Sequence, residues 1–300
     1  MSHKSLIATV AENNDIEFVR KILSTATNSI DHSALLKAAL DPAARLGNRE
    51  LVNVIIACSK TSTIFTDIEF VTKDAIVTAS LEGHHEIVED LLDTYDDKYV
   101  VSDAFEAAAS RGHEDVIEVL KQYGTRNDDY FTDYELAIYS AASGGQYETA
   151  DKLVEFNLDC FGEANEIEMC DDGLHRAASE GDLKAVKYYV SRSAGKTCLD
   201  DYTGNCHERR IEMDEQLGFC CDYTEAINKA TDSRHTDIVN FLVDYTIRNV
   251  FNQTMYNATV RNNIDVVKSM LKLGANSFND ALKVARDNDY TEIVQLLVDA

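Results

Sequence analysis

The chain is poor in what most functional classes require. No stretch of its sequence approaches the ~18 consecutive apolar residues of a membrane-spanning helix. The start, Met1 to Ala8, is not a secretory signal, because its apolar run is broken at Glu12 and Asn13. A secreted product is not expected. Cations are scarce: Lys+Arg number 28 against 53 Asp+Glu, for a net charge of -25. A surface of this sign repels phosphate backbones and anionic lipid headgroups, so neither nucleic acid nor a membrane is an expected partner. The general consequence of the charge is solubility. The specific one is attraction to a partner protein with a basic patch.

Phosphate-binding glycine loops are also missing, and Gly144-Gly145 falls at a turn of the repeat described below. The seven cysteines are an odd number without the spacing of a small disulfide-stapled domain, so reduced thiols are expected. Five candidate ligands, Cys198, Cys206, His207, Cys220 and Cys221, crowd into one segment. Zinc sites usually pair their cysteines as C-x₂₋₄-C, whereas these are adjacent or far apart. No metal is expected there. Asp96-Asp97 and Asp128-Asp129 lack the spacing of a calcium loop. His84, His113 and His235 recur in register, but no serine, cysteine or carboxylate recurs beside them to complete a nucleophile–base pair. No enzyme and no cofactor are expected.

What the sequence does have is a repeat. Ala79-Ser80-Leu81-Glu82-Gly83-His84 returns as Ala108-Ala109-Ser110-Arg111-Gly112-His113 and as Ala177-Ala178-Ser179-Glu180-Gly181-Asp182. The glycine column reads Asn14, Gly47, Gly83, Gly112, Gly145, Gly181, Arg234, Asn262 and Asp289, with steps of 33, 36, 29, 33, 36, 53, 28 and 27 residues. Seven residues earlier lies a second column, Ile7, Leu40, Ile76, Phe105, Ile138, Leu174, Ile227, Met255 and Leu282, apolar throughout. Small residues follow it at i+3 and i+4, which marks a helix face that the next helix can approach closely. After the glycine column, pairs such as Ile87-Val88 with Leu91-Leu92 mark a second amphipathic helix. Each unit is therefore expected to be helix, tight turn, helix, with the column residue in the left-handed conformation. Ser5, Asp74, Asp103, Asp172 and Asp280 are expected to cap the first helices. Pro42 falls inside one of them, which should begin late or kink there.

This pattern resembles the ankyrin repeat, whose signature is T-P-L-H-x-A-A followed by x-x-G-H. Leu174-His175-Arg176-Ala177-Ala178-Ser179-Glu180-Gly181 comes closest, and Leu273-Gly274-Ala275-Asn276 is similar to the family's inter-repeat hairpin. The family's Thr-Pro dipeptide is absent. The worn-down signature is similar to repeats encoded by giant DNA viruses and some protists. The resemblance implies an all-α helix-turn-helix solenoid of about nine repeats, a single domain over 1–300 with a Cys-rich insertion at about 193–223. It implies that the recurring histidines bond neighbouring loop backbone. It also implies binding of another protein through a concave face and the inter-repeat loops, as an adaptor, decoy or scaffold. The alternative is a structural part of a large assembly such as a virion, and a remote one is an enzyme or metal site on the Cys/His insertion. The expected compartment is the cytoplasm, with the nucleus or a virion left open.

Tyrosine is unevenly spread: Tyr95, Tyr99, Tyr123, Tyr130, Tyr134, Tyr139 and Tyr147 fall within 95–147. Tyr95, Tyr99, Tyr130, Phe131 and Tyr134 sit in or beside inter-repeat loops, where aromatic rings serve as interface anchors. They are the candidate partner-binding residues, with Asp96, Asp97, Asp128, Asp129 and Asp133 as an acidic rim. The competing expectation is that these rings pack beneath the loops.

Overall fold

The chain folds as helix pairs, and the turn within each pair has one geometry. The computed structural model describes residues 3–24, 29–61, 68–94, 98–126, 134–161, 165–193, 223–245 and 249–300. Among them every regular element is helical and none is a strand. The fold is all-α. Two compact units divide it, Met1–Asn157 and Leu158–Ala300.

In the first unit the helices are α1 (His3–Glu12), α2 (Ile16–Leu23), α3 (Ser29–Arg45), α4 (Arg49–Thr61), α5 (Ile68–Glu82), α6 (His85–Leu92), α7 (Lys98–Arg111), α8 (Glu114–Arg126), α9 (Tyr134–Gly144) and α10 (Tyr147–Phe161), the last counted here to Asn157. First helices pack on first helices in the order α1, α3, α5, α7, α9, and second helices on second helices in the order α2, α4, α6, α8. The second unit holds α11 (Asn165–Glu180), α12 (Leu183–Ser193), α13 (Tyr223–Asp232), α14 (Thr236–Leu242) with a 3-10 turn at Val243–Tyr245, α15 (Asn249–Val260), α16 (Ile264–Leu273), α17 (Asn279–Asp287) and α18 (Thr291–Asp299). The same order holds there: α11 on α13, α15 and α17, and α12 on α14, α16 and α18, each with its neighbour.

The apolar column is the core of both units. Eight of its nine members are at most 3% exposed, from Ile7 to Met255, while Leu282 is half-buried. Between the first helices the small residues Ala79, Ser80, Ala108, Ala109, Ala141, Ala142, Ala177 and Ala178 are fully buried. They let backbones approach: a Cβ on Gly144 would run into the Ser110 carbonyl of the neighbouring first helix.

All nine residues of the glycine column have left-handed backbone, with φ from +53° at Asn262 to +84° at Gly145 and Gly181. Asn14, Arg234, Asn262 and Asp289 adopt it without being glycine. At each of the nine the N–H of the following residue donates to the carbonyl five positions back. His84 bonds Ala79 at 2.9 Å, His113 bonds Ala108 at 3.0 Å and Tyr290 bonds Ala285 at 2.8 Å. This closes the end of the first helix by satisfying a carbonyl that has no helical donor.

Two expectations need correction. The acids placed as first-helix caps lie inside helices or in the first turn. α5 starts at Ile68, well before Asp74, and α7 starts at Lys98, before Asp103. The helices begin earlier because their upstream residues are also apolar and buried, as with Val100, Val101, Met169 and Cys170. Asp74 and Asp103 instead reach back to the previous first helix, pairing with Lys37 and, at 2.8 Å, with Lys73. Nor does α3 begin late: it runs from Ser29 through Pro42 to Arg45. Packing against α1, α4 and α5 outweighs the one hydrogen bond that a proline removes.

Candidate functional site

The residue directly after the glycine column is where each turn meets its neighbour. His84, His113 and His235 each lay an imidazole over the column glycine of the preceding hairpin, Gly47, Gly83 and Gly181 respectively. Each also directs Nε2 to a backbone carbonyl two residues before that glycine: Arg45 at 3.1 Å, Leu81 at 3.0 Å and Ser179 at 3.1 Å. The histidines thus bond neighbouring turn backbone. Carbonyl oxygen only accepts, so Nε2 carries the proton in each contact.

At other turns the same position does a different task. Asp15 accepts from Phe18 N at 3.0 Å, and Asp182 accepts from Lys184 N and Ala185 N, each at 3.0 Å. These are the N-caps of second helices. Asn48 and Asn263 cap and also reach the neighbouring hairpin, Asn48 at a side chain and Asn263 at backbone. Asn48 Oδ1 accepts from Leu51 N at 3.1 Å while its amide donates to Asn14. Asn263 accepts from Val266 N and donates to the Thr231 carbonyl at 3.3 Å. These caps were missed in the sequence. The signal was present as Asp or Asn directly after the glycine column, at Asp15, Asn48, Asp182 and Asn263.

Of the five candidate binding residues, Tyr95, Tyr130 and Phe131 lie outside the described residues, as do all five acids of the proposed rim. Tyr99 is the second residue of α7, and its side chain is likewise outside the description. Tyr134 opens α9 and is half-buried. Its ring meets Phe105 edge-on at 5.5 Å and 85°, and Phe156 at 5.3 Å and 74°. Lys121 places its ammonium 4.1 Å from the centre of the Phe156 ring. Since Phe105 is fully buried, Tyr134 is a packed ring tied to the core column.

The second unit has an aromatic group that sequence reasoning passed over. Tyr188 and Tyr189, both buried, meet at 5.2 Å, and Tyr189 presses on Gly173, where no Cβ would fit. Tyr223 stacks on Tyr245 at 6.1 Å, and Tyr245 meets Phe241 at 5.3 Å. Tyr188 and Tyr189 are adjacent on α12, while Tyr223, Phe241 and Tyr245 belong to one hairpin and meet only when it closes.

The five Cys/His candidates of the insertion lie outside the described residues. Among the described residues, no three His, Cys, Asp or Glu side chains come together as a metal-binding group. Cys170 is buried and Cys58 half-buried, and burial pushes the Cys58 thiol up, against thiolate formation. At the surface, the Arg49 guanidinium grips Asp90 through Nε and a terminal nitrogen at 2.6 and 2.9 Å and meets Glu86 at 2.9 Å. Asn53 adds a bond to Asp90 at 3.1 Å, and Arg49 with Asn53 holds that carboxyl below its usual range. This network joins α4 to α6. Among the described residues no helix is long and apolar enough to cross a membrane. No protein-family model matches the chain, and no curated protein matches it.

Proposed function

We propose that this chain is an ankyrin-like solenoid of nine helix pairs that acts without catalysis, binding another protein as an adaptor, decoy or scaffold. One observation carries the reading: nine left-handed turns, each closed by the same backbone hydrogen bond and set between two helices. Uniform turns with a varied surface suit a platform for contacts rather than a single reaction centre. The binding surface is the concave face such a stack would present together with its loops, anchored at Tyr95, Tyr99, Tyr130 and Phe131. Tyr134, half-buried against Phe105 and Phe156, is the fifth of these anchors. The partner carries a basic patch, in keeping with the net charge of -25.

The test is affinity capture with cross-linking mass spectrometry, which identifies the partner and its footprint together. Cross-links confined to 95–134 with a soluble, basic-patched protein support the proposal. Recovery with a capsid or shell protein from purified particles favours the structural alternative. Turnover that requires Cys206 or His207 overturns the non-catalytic reading.

A further inference from the structure

α3 contains a defect and a group suited to repair it. Pro42 has no N–H, so the carbonyl of Ala38, four residues earlier in the helix, loses its regular donor. Asp41 stands next to the proline and three residues beyond Ala38. A side chain can turn back to a carbonyl at that spacing. Asp41 Oδ1 is buried and has no hydrogen-bond partner. An ionised carboxylate only accepts, so it can do nothing for an orphaned carbonyl, whereas a protonated carboxyl carries one O–H donor.

We propose that Asp41 is a proton-operated clasp within α3. Protonated, it donates its O–H to the Ala38 carbonyl. Ionised, it leaves that carbonyl without a donor and holds a charge at a half-buried position.

The surrounding charges are consistent with this. Lys37, one turn back on the same helix, is bound to Asp74 of α5 and so is shared between two carboxylates. Asp74 opposes ionisation of Asp41, Lys37 favours it, and burial is the largest influence and raises the carboxyl above its ordinary range. Several charged groups on the other elements packed against α3 have partners of their own. Glu12 of α1 pairs with Arg45, Arg49 of α4 with Glu86 and Asp90, and Lys73 of α5 with Asp103. Arg20 of α2 acts on Cys58. The folded state therefore holds the Asp41 proton more tightly than the unfolded chain does. The stabilisation is complete below the ordinary aspartate range and is lost as pH rises through the raised value. Helix α3 becomes the element of the first unit that loosens as pH rises.

The test is a set of urea midpoints from about pH 3.5 to about pH 8, spanning the range above the ordinary aspartate value, on the full chain and on Asp41→Asn, Pro42→Ala and the double variant. Asn is neutral throughout and keeps a donor. Asp41→Asn should raise the midpoint at the alkaline end and leave it unchanged at the acid end. Amide exchange in α3 should slow in parallel. In the Pro42→Ala background, where the helix supplies its own donor, the gain from Asp41→Asn should shrink. An equal gain in both backgrounds would exclude the Ala38 carbonyl. A midpoint lowered by Asp41→Asn at the alkaline end would show that the ionised form serves the fold through Lys37, and would overturn the proposal.

Discussion

His113 covers Gly83. Its imidazole lies where any Cβ on that glycine would go, and its Nε2 bonds the Leu81 carbonyl at 3.0 Å. The glycine is needed twice there, for φ +83° and for the ring above it. At Gly145 only the first need exists, because no atom lies within 4 Å of a Cβ placed there.

Substitution separates the two needs. Gly145→Ala should cost about 1–2 kcal/mol, the penalty of left-handed backbone for a residue with a Cβ. Gly83→Ala should cost more, because the ring must also move. In a His113→Ala background the cost of Gly83→Ala should fall to that of Gly145→Ala. Urea midpoints of the four variants give the coupling directly, and equal costs in both backgrounds would refute the steric account.

Truncation at the buried apolar positions of either helix of a pair should be expensive. Leu174 is fully buried and Ile87 is 2% exposed, so replacing either by Ala should cost roughly 2–5 kcal/mol. Leu282→Ala should cost less than Leu174→Ala, since Leu282 is only half-buried and leaves a smaller void. Thermal or urea unfolding monitored by circular dichroism checks the order.

Ser80 is a different kind of buried residue. It is fully buried in the small-residue column, and its hydroxyl has no partner. Ser80→Ala removes an unsatisfied polar atom without changing the shape of the column. Stability should rise by about 1 kcal/mol. A loss of that size would reveal a hydrogen bond made by the hydroxyl.

Asp90 should make the α4–α6 contact acid-sensitive. Its carboxyl is held low by Arg49 and Asn53. The folded state therefore releases this proton more readily than the unfolded chain. The stabilisation is present above the ordinary aspartate range and is lost as pH falls through the lowered value. Asp90→Asn should lower stability slightly near neutrality and leave it unchanged at the acid end, flattening the acid limb of a stability–pH curve; the drop is small because the pair is partly exposed and screened.

The insertion should be dispensable. α11 packs directly on α13, α12 on α14, and His235 bonds the Ser179 carbonyl across the segment. Deleting Thr197 to Gly218 should leave the remaining helices folded, because shortening a connection changes closure entropy only slightly. The intact chain should carry no stoichiometric zinc by elemental analysis. Collapse of the far-ultraviolet helix signal on deletion would show that the segment holds the flanking hairpins together.

Sequence alone determined the helix pairs, the apolar column and the nine turn positions. These rest on local periodicity and on one backbone conformation, and such signals repeat within a few residues of each other. Tertiary structure decided the rest. Asp74 and Asp103 look like helix caps in the sequence, and only the neighbouring helix, with Lys37 and Lys73, makes them ion-pair partners. Pro42 looks like a break, and packing on both sides of α3 carries the helix through it. Tyr134 looks like a loop anchor, and Phe105 and Phe156, from two other helices, make it a packed ring. In each case the deciding partner lies more than 20 residues away in sequence, or on a different helix, so its effect appears only once the helices have packed.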